Sequence, residues 1–455
     1  MYTFLTREYN NTRHAYYFIY LAVKAGHPLL NQRSIILIVN LHTILDICLI
    51  LHPIIIHCMK IGLLREGKNP PDKRVVFSPK ACKKILESFN NISIAAQPSE
   101  IRCFTDEEYR NVGVELIEDL SHCDVLMGVK EVPLNMLIDD KIFLFFSHTI
   151  KKQPYNQKLL QTIIEKKIQL IDYETLLDGN KKRIIGFGRY AGIVGCYNTF
   201  LAYGKKTRLY NLKLAHLLED QEELNDQLSQ VKLPPDFKII LTGSGRVSSG
   251  VVEILKKINL HQVSQEDFLS KKFQYPVYCQ LNPIDYHCKK DNGPVDKNEF
   301  YSKPNLYKSS LLNFCNVADM LITGHYYAAG SPILLSKEEI AGDAFNIKVI
   351  GDISCDIKEP IASTIRPSTI EAPIYGYNPV SGLEDDYMKD GVIVVMAVDN
   401  LPCSLPKDAS IDFGRVFIEK VLPDLINHGP ITSQATITAN GNLTSNFHYL
   451  KDYVG

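Results

Sequence analysis

The sequence has almost no net charge: 50 Lys and Arg residues stand against 51 Asp and Glu residues, for a formal charge of −1 with neutral His. No global field draws such a chain onto nucleic acid or an anionic membrane, and neither is expected as a partner. A C-x-x-C pair is also missing. The 11 cysteines are odd in number and widely spaced, which excludes a zinc ribbon or a disulfide framework and fits free thiols in a reducing cytoplasm. Cys279, His287 and Cys288 lie close in sequence but lack a fourth ligand at suitable spacing, so no metal is expected there. There is no internal repeat. With 45% hydrophobic and 22% charged residues, the composition excludes disorder, collagen and a small stapled scaffold. A length of 455 residues suggests about three domains, or two large ones.

One hydrophobic run stands apart. Between Ser34 and Cys58 the only formally charged residue is Asp46, and the run is long enough to span a bilayer. Asn40, His42, Asp46, His52 and Pro53 would then lie in hydrocarbon, at a cost that needs partners. The run starts late and has no small-residue cleavage site, unlike a secretory signal. Residues 1–58 are therefore expected to be an extension outside the catalytic fold, with a membrane anchor over 34–58 as the alternative.

From Met59 onward, short apolar runs alternate with helical patterns. Strands are expected at 60–65, 92–96, 124–130, 141–147 and 168–174. A helix starts at Pro79 with Ala81, Cys82, Ile85, Leu86 and Phe89 on one face. Thr105 with Glu108 resembles a capping box, and 153–166 is helical. This alternation predicts parallel α/β layers. A charged connector over 205–235 ends at Pro234–Pro235. The polar stretch 280–310 reads as an exposed insertion, and 318–323 and 348–353 as later strands.

The run 237–242 is a buried strand, followed by Gly243-Ser-Gly245 and then by a helical stripe of Val247, Val251, Ile254, Leu255 and Ile258. Strand, glycine turn and helix in that order form a pyrophosphate cradle: Gly243 permits the tight turn, Gly245 admits the phosphates, and the helix start supplies N–H groups. The third motif position is Ser248 rather than Gly. The acid expected about 20 residues on is not plain. Ser264 falls there, with Glu266, Asp267, Lys271 and Lys272 beyond, so NAD and NADP both stay open.

The segments REGKNPPDKRVVFSP, GVKEVP, FFSHTIKKQ, LIDYE, RIIGFGRYAG, DISCDI and AVDNLPCSLPKDAS follow one another over residues 59–455. In that order they resemble the lysine-forming saccharopine dehydrogenases, and most of all the lysine–2-oxoglutarate reductase half of aminoadipic semialdehyde synthase. Alanine dehydrogenase and transhydrogenase are the wider relatives. The resemblance implies two Rossmann-like α/β domains with parallel sheets flanking a cleft. The first would be discontinuous, 59–190 plus 404–455, and would take the substrate; 191–403 would bind NAD or NADP. The implied reaction joins the lysine ε-amine to the keto carbon of 2-oxoglutarate and reduces the imine to saccharopine, or runs in reverse.

The same resemblance assigns residues. Lys130 and His148 match the family's two acid–base groups, and Glu131 and Glu174 match carboxylates that tune them. Arg74, Gln153, Arg183 and Phe187 match substrate contacts, as do Ser354, Cys355 and Asp356 near the cleft. Lys182, Gly243, Gly245, Arg246, Tyr326, Ile353, Val398, Asp399, Asn400 and Leu401 match cofactor contacts. Lys182 replaces an arginine of the fungal enzymes. Val247 and Gly324 stand where those enzymes have a cysteine pair, so no redox disulfide is expected. Taken singly, Lys130 is a solvated strand end, His148 a structural donor, Arg74 and Arg183 surface cations, and Val398 and Leu401 core. The rival functions are an alanine-dehydrogenase-like amino acid dehydrogenase and a non-catalytic nucleotide-binding protein.

Overall fold

The computed structural model describes residues 58–68, 71–328 and 330–455. The extension expected at 1–58 and the anchor considered at 34–58 lie outside the described residues, apart from Cys58. Residues 59–455 form one unit, built on two eight-stranded sheets.

The first sheet takes β1 (Met59–Leu63), β2 (Ile92–Ala96), β3 (Glu115–Leu116), β4 (Val125–Met127), β5 (Ile142–Phe145) and β6 (Gln169–Asp172). All but β3 fall on the apolar runs read from the sequence; β3 is a two-residue edge strand that no such run announced. Ser78 caps helix α1 (Pro79–Ser88), whose Cys82 and Ile85 turn inward. Thr105 and Glu108 form the expected reciprocal box at the start of α2 (Asp106–Arg110). Helix α3 (Gln157–Glu165) buries Leu159, Leu160 and Ile163.

The second sheet takes β7 (Lys238–Thr242), β8 (His261–Gln262) and β9 (Val277–Leu281). After a separate ribbon of β10 (His287–Lys289) and β11 (Tyr307–Ser309), it continues with β12 (Met320–Thr323) and β13 (Val349–Asp352). Strands β14 (Ile374–Asn378), β15 (Leu383–Asp385) and β16 (Ile393–Met396) complete it. The chain then returns to the first sheet through β17 (Thr436–Ala439) and β18 (Asn442–Leu443).

The first sheet runs β18-β17-β6-β5-β4-β1-β2-β3 and the second β15-β14-β16-β13-β12-β7-β9-β8. In both, the core strands pair in parallel and only the two pairings at one edge are antiparallel. Parallel sheets need cover on both faces, and both have it. Along β7, Ile239 and Leu241 enter one core and Ile240 the opposite one.

The longest helix among the described residues was not read from the sequence. Residues Gly188–Thr207 form α4, 20 residues long and buried nearly all round. The segment read as a glycine-rich boundary near 190 is its first turns. Helix α5 (Arg246–Lys257) packs so closely on α4 that glycine is required on both helices. A Cβ on Gly192 would fall 1.9 Å from the carbonyl oxygen of Val247, and one on Gly250 would fall 2.0 Å from that of Arg189. Helix α6 (Pro406–Lys420) packs Phe413 and Phe417 into the first sheet's core.

A second correction concerns 280–310. It is not merely an exposed insertion, because Tyr286, His287, Phe300 and Tyr307 are buried in and around the β10–β11 ribbon.

Each sheet has a point where successive connections leave in opposite directions. In the first it lies between β1 and β4, and in the second between β7 and β12. Open α/β sheets take ligands at such points, beyond the carboxyl ends of the strands.

Candidate active site

Loops from those carboxyl ends line one cleft of about 1800 Å³. That is more than most single small-molecule pockets require.

Beyond β4 comes Lys130, which lines the cleft. Its peptide and the one before it are fixed by Glu66, beyond β1. The Glu66 carboxylate accepts the N–H of Val129 at 2.6 Å and of Lys130 at 2.9 Å. Burial pushes Glu66 up to about 7, against the pull of these two donors. Burial also depresses the Lys130 amine below the ordinary lysine value, with Arg74 and Lys68 adding positive potential.

Beyond β5 comes His148, which lines the same cleft at φ +52°. Its Nδ1 lies 2.6 Å from Oε1 of Glu131, whose other oxygen accepts from Lys68 Nζ at 3.1 Å. Burial opposes charge on Glu131, but His148 and Lys68 hold it down at about 2. The fully buried Asp172, last residue of β6, ties two loops together. It accepts from the N–H and hydroxyl of Ser147 and from the N–H of Glu174 at 2.7 Å. One carboxylate thus positions both Glu174 and Ser147, the neighbour of His148.

Arg74 is not a free anion hook. It is buried and forks onto Asp72, with Nε–Oδ1 at 3.0 Å and Nη2–Oδ2 at 2.6 Å, while Nη2 also donates to Asn400 Oδ1 at 2.8 Å. Burial disfavours the Asp72 anion, yet Arg74 keeps it well below the usual carboxylate range. The guanidinium lies 4.2 Å over the ring of Phe187, which stacks in turn on Phe413 at 4.7 Å. Arg183 is half-exposed and pairs with Glu174 at 3.0 Å. The other Glu174 oxygen, Oε2, is buried without a partner.

The second sheet contributes the opposite wall. Gly243 has φ +87°, and a Cβ there would fall 2.7 Å from the carbonyl oxygen of Gly324, so only glycine fits. Gly245 differs: its backbone is extended, and a Cβ there would meet nothing within 4 Å. It opens onto the cleft just before α5, whose N-cap offers no side-chain acceptor to the first N–H groups. Arg246 follows, its charge disfavoured by burial and by the nearby Arg183. Among the described residues no carboxylate pairs with Arg246 or Lys182. Asp178 and Asp412 offset only part of that repulsion, and two arginines held close favour an anion between them.

Of the other expected residues, Tyr326 is 80% exposed on the rim. Ile353, Val398 and Leu401 also line the cleft but are buried and pack against α4. Asp399 and Asn400 stand beside them, Asn400 at φ +63°. Ser354 donates to Asp352 at 2.7 Å. Cys355 adopts φ +54° and burial pushes its thiol up to about 12. Asp356 is raised by burial and by Asp352. Gln153 lies outside the cleft lining, its side-chain oxygen accepting from Tyr155 at 2.7 Å.

Sequence reasoning missed Glu66 and Asp72, which sit inside the first motif, and the aromatic end of the cleft at Tyr286, His287, Phe300 and His325. For His325 the signal was local: it follows closely on the apolar run of β12, at the same kind of position as His148 after β5.

A family model, the alanine dehydrogenase/PNT N-terminal domain, matches residues 62–194. The alpha-aminoadipic semialdehyde synthases are 28% identical in mouse (87% of this chain, 48% of that protein) and 29% in Arabidopsis thaliana (86% and 41%). The mouse protein is described as mitochondrial. A saccharopine dehydrogenase [NAD(+), L-lysine-forming] of Yarrowia lipolytica is 22% identical, over 80% of this chain and 90% of its own. The chain is a homologue of both groups. It spans about half the length of the semialdehyde synthases it matches. Its fold is that of L-alanine dehydrogenase (TM-score 0.56, 14% identity, covering 87% of this chain and all of that one). Transhydrogenase from Sinorhizobium meliloti shares it (TM-score 0.52, 12% identity, 85% and 98%). No helix among the described residues is long and apolar enough to cross a membrane.

Proposed function

We propose that residues 59–455 form an oxidoreductase that interconverts saccharopine with lysine and 2-oxoglutarate, using a nicotinamide coenzyme. One observation carries this reading: Lys130 and His148 share a single cleft with the open Gly243–Gly245 turn. The lobe of 59–190 with 404–455 would take the substrate and 191–403 the coenzyme. The free thiols of the described residues suit a reducing cytoplasm.

The coenzyme, when bound, supplies or accepts a hydride. The N–H groups around Gly245 and the start of α5 would hold its pyrophosphate, beside Arg246. Lys130, depressed toward its neutral form, accepts a proton from the substrate nitrogen. His148 has Nδ1 engaged by Glu131, which leaves Nε2 to deliver a proton to the departing oxygen or to retrieve it in the reverse direction. Arg183 would orient a substrate carboxylate by exchanging Glu174 for a ligand oxygen, while Lys182 and Arg246 would face the coenzyme. Arg74, locked by Asp72 and Asn400, positions Phe187 and adds positive potential.

The test is coenzyme oxidation with lysine and 2-oxoglutarate, run beside pyruvate and ammonia. Turnover with the second pair alone would favour an alanine-dehydrogenase-like activity. Coenzyme binding without turnover on either pair would favour a non-catalytic role.

A further inference from the structure

We infer that the adenosine end of this cleft is built for an unphosphorylated ribose, so the coenzyme is NAD(H) rather than NADP(H), with His287 as the residue that reads the ribose. The inference rests on the reading of the cleft as a nicotinamide-coenzyme site.

The strand order locates that end. The residue that distinguishes the two coenzymes follows the strand beside the glycine-turn strand. Here the parallel neighbour of β7 is β9, while β8, which leads to Ser264, pairs only with β9 at the sheet edge. Ser264 itself caps the short helix Gln265–Ser270 through the N–H of Asp267. The discriminating segment is therefore Asn282-Pro-Ile-Asp-Tyr-His287.

That segment contains no lysine or arginine. Its one carboxylate, Asp285, accepts the N–H of Asn282 at 2.6 Å. The first cation beyond it, Lys289, is paired with Glu299 at 2.6 Å. A 2′-phosphate carries a charge of roughly −1.5 to −2 and only acceptor atoms, and it would meet no free cation in this segment.

The histidines supply what a hydroxyl needs. Nδ1 of His287 lies 2.6 Å from the carbonyl oxygen of Pro283. A carbonyl only accepts, so Nδ1 carries the proton and the neutral ring presents a bare Nε2. That Nε2 is buried without a partner, as is the Nε2 of His325, whose Nδ1 lies 2.6 Å from Thr242 Oγ1. Both rings line the cleft. Burial holds His287 below its ordinary value and His325 at about 4, so both are uncharged at neutral pH. A buried acceptor with no donor is costly, and a ribose hydroxyl is the donor a dinucleotide brings to this place. Tyr286 and Phe300 wall the site, the Phe300 ring 4.5 Å from that of His287.

The test is titration of the full chain with NADH and with NADPH, followed by the reduced coenzyme's own fluorescence; the chain has no tryptophan to contribute emission. NADH should bind roughly tenfold more tightly or better. His287→Ala should weaken NADH about tenfold and leave NADPH nearly unchanged. Ile284→Arg, at an exposed position, should tighten NADPH whether or not the His287 variant folds. Tighter or equal binding of NADPH by the unaltered chain overturns this inference while leaving the coenzyme cleft standing. An unchanged preference in folded His287→Ala, or no gain for NADPH in Ile284→Arg, also overturns it. Failure of both coenzymes to bind overturns the reading beneath it.

Discussion

Nδ1 of His148 is 2.6 Å from Oε1 of Glu131, and this bond leaves Nε2 as the free ring nitrogen of His148. Hydrogen bonds to charged groups are worth about 1.5–3 kcal/mol. Glu131→Ala should therefore lower kcat/KM roughly 10- to 100-fold with coenzyme affinity unaltered, and Glu131→Gln, which still accepts from Nδ1, should lose less. Steady-state kinetics beside a coenzyme titration checks this. Equal losses in both measurements would mean that Glu131 only supports the fold.

Lys130 sets a pH dependence. Its amine is depressed by burial, Arg74 and Lys68, so its neutral form accumulates at lower pH than for a free lysine. The limb of the pH–rate profile that rises as a base is freed should lie below 10.5. Lys68→Met removes one cation and releases Glu131 from its ion pair, and both changes raise the Lys130 value. That limb should move to higher pH in Lys68→Met, and turnover should nearly vanish in Lys130→Met while NADH still binds.

The two glycines of the turn should separate folding from binding. Gly245→Ala has open space and an extended backbone, so stability should stay within about 0.5 kcal/mol while the added methyl narrows the cradle and weakens coenzyme binding. Gly243→Ala, at φ +87° and against the backbone of Gly324, should lower the melting temperature as well. Thermal melts beside coenzyme titrations report both.

Buried charges govern stability. Asp72→Ala leaves the Arg74 guanidinium without its ion-pair partner and should cost about 3–5 kcal/mol. Glu66 works in the opposite sense from a salt-bridged acid. Its folded value is raised from 4.5 to about 7, so the stability it contributes is complete below 4.5 and is lost as pH rises toward 7. Glu66→Gln should flatten that slope, read as the urea midpoint across this range.

Much of the fold was legible because its strands are apolar runs too short to be anything else, and because Thr105, Glu108 and Pro79 mark helix starts by their own chemistry. Helix α4 was not: with nearly every face buried it has no polar stripe, so its periodicity is silent. The ribbon was misjudged because Tyr286, Phe300 and Tyr307 are scattered among lysines and asparagines, and only pairing brings them inward. Motif order pointed to Lys130 and His148, and the succession of strand, glycine turn and helix pointed to Gly243 and Gly245; all four line one cleft. Asp72 was not, since nothing local says that Arg74 forks back two residues rather than outward. The position proposed to read the coenzyme escaped because sequence distance pointed to Ser264, whereas sheet order points beyond β9.

The most direct measurement combines the loss of absorbance at 340 nm with mass analysis of the product, for the purified chain with reduced coenzyme, lysine and 2-oxoglutarate. The account expects coenzyme loss only when all three are present, saccharopine formed in equal amount, and neither in Lys130→Met. Coenzyme loss that needs no lysine, or full turnover in Lys130→Met, would contradict it.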